Sequence, residues 1–353
     1  MYLLPTDGCN LRCRYCFENL PISHKPRMMS AETAVRSIDL FFELSSLNDE
    51  RTIIFYGGEP LLNEQVVRGA VSYVRQVEAK KRINLSIVTN GILLSPEISR
   101  FFAENGVTVS VSLDGERRTH DSVRQTRAGF ETFELAKRGY LTAKDAGCKM
   151  GISFTISSAN VARLKENVAY LYEELNPSGF GFNFLIDLPG YKNSQSVPIE
   201  YATIKYIEAF KFLREKGVLE DRAMRKIKPF VKEYVHLKDC GGVGNQIVVA
   251  PDGRIGPCHA FLQQEKYFYA SITKPEDVLD NPTFMEWSSR YPLNMHQCIS
   301  CEALGICGGG CPYQAYISKG SIWELDERMC RHNKDFLSWL LWDIYDATSK
   351  ISV

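Results

Sequence analysis

Short apolar runs alternate with longer amphipathic stretches through the first 190 residues of this 353-residue chain. The apolar runs are rich in Ile, Val, Phe and Thr and are flanked by Gly, Asn or Asp, a pattern that predicts β-strands. We place the strands at 2–6, 52–56, 85–89, 108–113, 149–156 and 179–186. The amphipathic stretches predict helices, with Ser30 and Ser95 as N-caps of the first and third, at 31–45, 63–80, 96–104, 132–146 and 160–174.

The alternation of strand and helix indicates parallel strands joined by right-handed crossovers. Six such units are too few for a closed eight-stranded barrel, so we expect an α/β fold with a partial (β/α)6 TIM-type barrel. Functional residues of such sheets gather at the carboxyl ends of the strands. We divide the chain into the barrel, two linking helices and a small Cys-rich domain with a C-terminal helix, at 1–190, 191–238 and 239–353.

Two further helices are expected in the linking region, at 198–216 and 221–238, and a β-hairpin opens the Cys-rich domain. Its strands are placed at 246–250 and 254–256, around a turn that contains glycine.

Composition narrows the classes of function. With 44% apolar and 24% charged residues the chain is typical of folded globular proteins. Its 42 basic and 42 acidic side chains cancel, which excludes a strongly basic nucleic-acid-binding protein. The sequence contains no apolar run of about 18 residues and no secretory signal pattern at its start. We therefore expect a cytoplasmic protein without membrane or nucleic-acid partners.

Eleven cysteines are many for a reducing compartment, where clustered cysteines are more often metal ligands than disulfides. Cys9, Cys13 and Cys16 directly follow the first predicted strand. Three thiolates on one loop can hold three irons of a cubane cluster and leave the fourth iron open to another ligand. A structural zinc site completed by a distant residue such as His24 is the alternative.

The motifs at the strand ends resemble those of the radical S-adenosylmethionine (AdoMet) superfamily and occur in the family's order. The family's CxxxCxxC motif matches the three N-terminal cysteines, with Tyr15 as the aromatic residue before the last of them. Its GGEP, TNG and SLDG motifs match residues 57–60, 89–91 and 112–115. The segment His120-Asp121-x-x-Arg124 resembles the stretch that supplies an arginine towards the AdoMet carboxylate.

This resemblance implies that Cys9, Cys13 and Cys16 bind a [4Fe–4S] cluster whose open iron chelates the amino and carboxylate groups of AdoMet. It assigns contacts with AdoMet to ten residues, which are Tyr15, Gly57, Gly58, Glu59, Pro60, Thr89, Asn90, Ser112, Asp114 and Arg124. The two adjacent glycines are expected to let the backbone approach a ligand closely. Arg124 is equally consistent with a solvated charge at the start of a helix.

Seven cysteines in the last third of the chain resemble the SPASM domain that follows the barrel in one branch of this superfamily. The resemblance implies two auxiliary iron–sulfur clusters. One would be bound by Cys240, Cys258 and Cys311, and the other by Cys298, Cys301, Cys307 and Cys330. A pair of zinc knuckles is the alternative for such CxxC pairs.

The first auxiliary set departs from the family pattern, because many relatives carry one more cysteine soon after the position of Cys240. Here the sequence continues Gly-Gly-Val-Gly-Asn-Gln. Three cysteines would leave one iron open, where a substrate thiolate could coordinate. Asp239 or Cys148 could fill the position instead, although Cys148 is also consistent with a buried structural thiol.

Together the resemblances imply an enzyme that uses three [4Fe–4S] clusters and AdoMet and acts on a peptide. A reduced N-terminal cluster would cleave AdoMet to methionine and a 5′-deoxyadenosyl radical, with an external electron donor of flavodoxin or ferredoxin type. We expect this radical to install a thioether or a carbon–carbon crosslink in a ribosomally made precursor peptide. The auxiliary clusters would take up the surplus electron, bind a substrate group, or both.

Three other functions stay open at this point. An anaerobic sulfatase-maturating enzyme would oxidise Cys or Ser to formylglycine, and Asp187, near the sixth strand end, is the candidate catalytic acid/base. The others are a small-molecule dehydrogenase of the SPASM branch and a non-enzymatic zinc-binding scaffold.

Overall fold

The computed structural model describes residues 1–17, 25–45, 50–77, 83–186, 195–264, 266–275 and 278–349. Within these ranges the chain forms ten strands, which are β1 (Tyr2–Thr6), β2 (Arg51–Gly57), β3 (Ile83–Thr89), β4 (Val107–Ser112), β5 (Met150–Ile156), β6 (Gly179–Phe184), β7 (Leu219–Glu220), β8 (Val248–Val249), β9 (Arg254–Gly256) and β10 (Ala270–Ser271). They belong to one sheet in the order β10-β9-β8-β1-β2-β3-β4-β5-β6-β7.

The described α-helices are α1 (Ala31–Leu44), α2 (Glu64–Val77), α3 (Pro96–Glu104), α4 (Arg117–Val123), α5 (Phe133–Asp145), α6 (Leu164–Leu175), α7 (Ile199–Glu215), α8 (Asp221–Val231), α9 (Pro282–Ser288), α10 (Leu304–Cys307), α11 (Pro312–Lys319) and α12 (Glu327–Ser349). None of these described helices has the length and hydropathy of a membrane span.

The predicted partial barrel is confirmed. Strands β1 to β6 pair in sequence order, all parallel, and at least one helix lies in each connection between them. Both predicted caps are present, since the hydroxyl of Ser30 accepts a hydrogen bond from the amide of Thr33 at 3.0 Å and that of Ser95 from Ile98 at 3.3 Å. These caps satisfy amides that have no partner inside the first turn of a helix.

Two expectations about helices need correction. The helix expected at 221–238 ends at Val231, and Glu233 beyond it has a φ of 55°, which a right-handed helix does not tolerate. Helix α4 was not expected, because its seven residues are too few to show a periodic pattern.

The hairpin of the Cys-rich region joins the barrel sheet directly. Strands β8 and β9 are antiparallel as predicted, and β8 also pairs parallel to β1, with Val248 opposite Tyr2. The sheet therefore continues from the barrel into the Cys-rich region without a break. The domain boundaries at 190 and 238 stay predictions.

The two faces of the barrel strands differ in character. The face towards the helices is apolar and buried, and includes Leu3, Phe55, Ile87, Val111 and Phe154. The inner face of β4 to β6 instead carries small or polar residues that are only half buried, among them Ser110, Ser112, Ser153, Thr155, Gly181 and Asn183. Bulky branched side chains fill the interior of a closed TIM barrel. Small residues here leave room inside the barrel for a ligand.

The Cys-rich region has a small core of its own and a helix that returns to the barrel. Phe261, Trp287 and Tyr313 are buried together in that core. Helix α12 packs on α7, where Nδ1 of His332 lies 3.0 Å from the hydroxyl oxygen of Thr203. The last helix therefore connects the Cys-rich region to the barrel.

Candidate active site

The cysteine loop, residues 9–16, starts at the carboxyl end of β1 and runs along the segment that follows α4. The backbone amide of Arg12 donates to the carbonyl oxygen of Gln125 at 2.8 Å, and that of Arg14 donates to Val123 at 2.9 Å. These two bonds hold the loop over the carboxyl edge of the sheet, where catalytic residues of such barrels lie.

A buried group of three side chains connects this loop to the ends of β4 and β5. Oδ2 of Asp114 accepts hydrogen bonds from Nε of Arg124 at 2.8 Å and from the hydroxyl of Tyr15, and Oδ1 accepts from the amide of Thr155 at 2.9 Å. Nη1 of Arg124 lies 3.9 Å from the sulfur of Cys13. Arg124 is only 8% exposed, so it is not a solvated charge.

The charges in this group follow from its burial. Burial raises the pKa of Tyr15 well above its usual value, and the carboxylate of Asp114 adds to the rise while Arg124 opposes it. Tyr15 is therefore a neutral donor. Burial also raises the pKa of the Cys13 thiol, and the positive charge of Arg124 opposes that rise. A cation beside a buried thiol favours its thiolate, which is the metal-binding form.

Glu59 connects the ends of β2 and β3. Its Oε1 accepts hydrogen bonds from the hydroxyl of Thr89 at 2.7 Å and from the amide of Leu61 at 3.1 Å, and Oε2 accepts from the amide of Asn90 at 2.8 Å. Burial raises the pKa of this carboxyl to about 7, against the effect of the three donors. The side chain thus has partners within the protein before any ligand is considered.

The two glycines of the GGEP segment make a close approach, but to another strand end. A Cβ atom on Gly58 would lie 2.2 Å from the carbonyl oxygen of Gly8, and one on Gly57, whose φ is 123°, would lie 2.4 Å from that of Thr6. Real Cβ atoms do not come so close to backbone. The partner of Gly58 is therefore the residue before Cys9, and that of Gly57 lies at the end of β1. The expected approach of these glycines to a ligand stays a prediction.

The remaining predicted AdoMet residues lie nearby. Nδ2 of Asn90 donates to Oδ1 of Asn10 in the cysteine loop at 2.7 Å. Pro60 is buried at the start of a 3-10 turn, and Ser112 is half buried on the inner face at the end of β4. The ten residues thus lie at the carboxyl ends of β2, β3 and β4 or on the two segments packed beside them.

The cysteines of the last third approach one another in two groups. In the first, burial raises the pKa of Cys258 well above its usual value, and negative charge on the neighbouring Cys240 and Cys311 adds to the rise. Burial raises the pKa of Cys311 to about 12, with Asp326 and Cys240 contributing in the same direction. Such mutual effects require thiols that are close together.

The second group forms between α9 and α12. Burial raises the pKa of Cys330 to about 12, and charge on Cys307, Cys298 and Cys301 adds to the effect. Burial likewise raises the pKa of Cys298, again with contributions from Cys307 and Cys301. These effects act between members of the two auxiliary sets expected from the sequence, and the binding of clusters by those sets stays a prediction.

Several of these sulfurs accept hydrogen bonds from N–H donors. The acceptor–donor pairs are Cys9 with the Leu11 amide at 3.4 Å, Cys240 with the Gly242 amide at 3.4 Å, Cys311 with the Gln314 amide at 3.5 Å, and Cys307 with Nδ2 of Asn333 at 3.1 Å. Donors of this kind favour the charged thiolate and are one means by which proteins tune iron–sulfur clusters.

Comparison with known proteins agrees with this arrangement. The family model for the radical SAM superfamily matches residues 3–169, from β1 into α6. Residues 3–169 form a radical SAM domain. Two curated relatives are similar over almost the whole chain. The radical SAM cyclopropyl synthase TigE of Paramaledivibacter caminithermalis is 24% identical over 93% of this chain and 71% of its own. A cysteine-type anaerobic sulfatase-maturating enzyme of Clostridium perfringens is 25% identical over 95% of this chain and 94% of its own.

A solved structure extends the likeness to the Cys-rich region. Native anSMEcpe with bound AdoMet and Cp18Cys peptide has a TM-score of 0.81 and 22% identity, over 99% of both chains. This match shows the fold. The protein is a radical SAM enzyme related to sulfatase maturases and to a cyclopropyl synthase, which sets aside a non-enzymatic zinc scaffold.

A radical SAM enzyme needs a [4Fe–4S] cluster and AdoMet, and the residues present fit both. Each group of thiols provides soft sulfur ligands with N–H donors beside them, as iron–sulfur sites require. In the described ranges no three His, Cys, Asp or Glu side chains converge closely enough to hold a single metal ion. The ligands of a cubane bind different irons, so they lie farther apart than the ligands of a single metal ion.

Both candidate substitutes for the missing fourth cysteine already have partners within the protein. Cys148 is buried in the barrel core, where its thiol donates to the carbonyl oxygen of Ser99 at 3.2 Å. Asp239 is next to Cys240, but its Oδ1 lies 3.6 Å from Nζ of Lys226 and 3.4 Å from Nε2 of His236. His24 and Asp187 fall outside the described residues, so their expected roles stay predictions.

Sequence reasoning missed an aromatic contact between the two ends of the site. Phe17 follows Cys16, His259 follows Cys258, and their ring centroids are 5.9 Å apart. The ring of Tyr313 lies 6.2 Å from Phe17. The cysteine loop and the first auxiliary group therefore lie on two sides of one aromatic contact. Residue types beside the cysteines were visible in the sequence, but their meeting depends on tertiary structure.

Arg222 was missed as well. It opens α8, and its Nη2 donates to Oδ1 of Asn183 at 2.9 Å on the inner face of β6, next to Ser153. Burial raises the pKa of Tyr2 and that of Cys240, and the positive charge of Arg222 opposes both rises. With a side chain 43% exposed, Arg222 presents a cation to the barrel interior, on the side of the first auxiliary group. A single Arg at a helix start carries no sequence signal of that kind.

Proposed function

We propose that this radical SAM enzyme modifies a peptide, and that it forms a thioether or carbon–carbon crosslink within a ribosomally made precursor. The observation that supports this most directly is the group of Cys240, Cys258 and Cys311 next to the barrel interior. With three cysteines rather than four, that group leaves an iron without a cysteine ligand, and a cysteine of the substrate has the chemistry to approach it.

In this proposal Cys9, Cys13 and Cys16 hold the cluster that binds AdoMet. When bound and reduced, this cluster supplies the 5′-deoxyadenosyl radical that removes a hydrogen atom from the substrate. An external donor of flavodoxin or ferredoxin type provides the electron. The protein's own part is positioning, because Asp114 and Arg124 fix the cysteine loop against the strand ends.

The predicted AdoMet residues then divide into two roles. Gly57, Gly58 and Glu59 shape the strand ends, since their close contacts are with protein. Tyr15, Asn90 and Arg124, together with Ser112 on the inner face, border the space where AdoMet would lie. Holding reactants at fixed geometry accounts for much of the rate that enzymes achieve.

The last third of the chain, residues 239–353, is proposed as a SPASM domain with two auxiliary [4Fe–4S] clusters, which gives three clusters in total. Cys298, Cys301, Cys307 and Cys330 would hold the second auxiliary cluster with full cysteine ligation. Arg222, facing the interior beside the first auxiliary group, has the charge to bind an anionic group of the peptide, such as a carboxylate or a thiolate.

The relatives support two versions of this function. The cyclopropyl synthase TigE carries out ring formation by name, which favours bond formation between substrate carbons. The solved relative anSMEcpe holds AdoMet and a peptide together, in a fold that matches this chain over 99% of its length. The second version, maturation of a sulfatase by formylglycine formation, is supported equally by the relative from Clostridium perfringens.

Product analysis separates the two versions. The anaerobically reconstituted full chain is incubated with AdoMet, dithionite and a library of synthetic Cys-containing peptides, and with a matched library in which Ser replaces Cys. A thioether crosslink yields a Cys peptide that has lost two hydrogens, has no free thiol and resists reduction and alkylation. A carbon–carbon crosslink also removes two hydrogens, but it leaves the thiol free to react with alkylating reagents. Formylglycine yields an aldehyde that reacts with hydrazides and would move the assignment to sulfatase maturation. Unmodified peptides in both libraries would contradict peptide modification.

A further inference from the structure

Arg290 is a wholly buried cation in the Cys-rich region, just beyond α9. Within the described part of the chain its guanidinium donates to three main-chain carbonyl oxygens: Nη1 to Gly309 at 2.8 Å, Nη2 to Glu324 at 3.2 Å, and Nε to Ile322. All three acceptors are neutral. The hydrogen bonds therefore satisfy the donors of Arg290 without balancing its charge.

A buried charge without a counter-charge is strongly unfavourable, so such groups are normally paired. Among the described residues no ion pair within 4.0 Å involves Arg290. The nearby carboxylate of Asp326 is instead 3.5 Å from Nε of Arg328. Burial lowers the pKa of Arg290, and negative charge on Cys311, Cys240 and Cys298, followed by Asp326, would oppose that fall.

The position of Arg290 relates to both auxiliary groups. Cys311 and Cys240 belong to the first group, and Cys298 belongs to the second. Gly309, which accepts from Nη1, lies in the loop between Cys307 of the second group and Cys311 of the first. One guanidinium thus lies against the loop that supplies a ligand to each group.

We propose that Arg290 is the shared counter-cation of the two auxiliary clusters and raises the reduction potential of both. This inference rests on the assignment of those clusters in the proposed function. A cubane held by three or four thiolates carries net negative charge, and reduction would add one more electron. A fixed cation in a medium of low dielectric stabilises the reduced form more than the oxidised form. Higher potentials suit clusters that accept the electron left when a substrate radical is oxidised.

The test is a potentiometric titration of the reconstituted full chain, followed by EPR, with dithionite as the reductant and iron measured in parallel. In Arg290→Gln we expect the ratio of reduced to oxidised auxiliary cluster at fixed potential to fall at least tenfold, which is about 59 mV for a one-electron couple. Arg290→Lys keeps the charge, so its ratio of reduced to oxidised auxiliary cluster should stay within a few-fold of the wild-type ratio. The N-terminal cluster should not shift in either variant.

Arg51→Gln is the matched control, because Arg51 is also a buried arginine, 3% exposed, but lies at the opposite end of β2 from the cysteine loop. Unmoved auxiliary potentials in Arg290→Gln at full iron, or an equal shift in Arg51→Gln, would overturn the proposal. If Arg290→Gln does not bind iron, the variant Asp326→Asn tests the electrostatic role instead. Removing that neighbouring negative charge should raise both auxiliary potentials, and unchanged potentials would refute the electrostatic role. Absence of auxiliary signals in the wild type would instead refute the cluster assignment itself.

Discussion

The contacts of individual residues determine how the strand ends pack in this protein. Gly58 lies against the carbonyl group of Gly8, immediately before Cys9. The carboxylate of Glu59 accepts hydrogen bonds from Thr89 and Asn90 at the end of β3. A motif that resembles a ligand-binding segment is, in its closest contacts, a joint between β2 and the cysteine loop. The geometry of the first cluster site therefore depends on residues that are not ligands.

Replacing Gly58 with Ala should disturb the N-terminal cluster. The new Cβ would lie 2.2 Å from the oxygen of Gly8, so the backbone before Cys9 has to move. We expect loss of up to a third of the iron, from the N-terminal site, and at least tenfold slower AdoMet cleavage, measured by iron analysis and chromatography of 5′-deoxyadenosine.

Gly69→Ala is the control for this change. A Cβ at Gly69, in α2, meets no atom within 4 Å, and Ala favours a helix over Gly by about 0.5–1 kcal/mol. This variant should keep its iron and melt at the same temperature or slightly higher. Normal iron content and normal cleavage in Gly58→Ala would show that the joint is dispensable.

Asp114→Asn should lower the free energy of unfolding, because it leaves Arg124 as a buried cation without its carboxylate. Breaking a buried pair by removing one partner costs about 3–5 kcal/mol. Calorimetry under anaerobic conditions should show this loss as a lower melting temperature, with weaker AdoMet binding. Asp252→Asn removes a half-exposed partner of Arg27 and Arg254 and should cost less than about 1 kcal/mol. Equal losses in the two variants would argue against the buried group.

The elements of the barrel were predictable because each has a local cause. Strands β1 to β6 are marked by apolar runs, and the caps of α1 and α3 are marked by Ser30 and Ser95. The short helix α4 and the end of α8 were not predictable, since seven residues show no period and the φ of Glu233 has no signal in sequence. Pairing of β8 with β1 joins residues far apart in the chain, and only the folded sheet reveals it.

The residues of the candidate site also divide into those that the sequence predicts and those that it does not. The resemblance to the radical SAM and SPASM patterns assigned all ten clustered cysteines to three groups, and within each auxiliary group the charge on some cysteines adds to the rise in the pKa of another. Arg290, Arg222 and the contact of Phe17 with His259 were invisible, because they depend on which segments meet in space. Local motifs identify ligands, whereas tertiary contacts determine the charges around them.

Removing the cysteine groups one at a time should separate their roles. If three cubanes are present, the chain holds roughly twelve irons. Changing Cys9, Cys13 and Cys16 to Ala should remove about a third of the iron and all AdoMet cleavage. Changing Cys298 and Cys301 to Ala should also remove about a third of the iron but leave reductive AdoMet cleavage intact. Iron analysis and 5′-deoxyadenosine assays distinguish the variants, and cleavage by the first variant would contradict the site assignment.

Across the whole molecule, one sheet carries the proposed AdoMet site on its central strands and continues into the Cys-rich region at its edge. Small residues lie on the inner face of β4 to β6, and Arg222 donates to Asn183 on that face. In the proposed function a peptide inside the barrel would meet the radical and the first auxiliary cluster. Hydrogen abstraction from a peptide carbon is the central claim.

Transfer of deuterium tests that claim most directly. The reconstituted full chain is incubated with AdoMet, dithionite and Cys-containing peptides that carry deuterium on their side-chain carbons, and the 5′-deoxyadenosine is analysed by mass spectrometry. The account predicts deuterium in 5′-deoxyadenosine, with a matching loss from the modified peptide. Unlabelled 5′-deoxyadenosine, formed at the same rate with and without peptide and beside unchanged peptide, would contradict it.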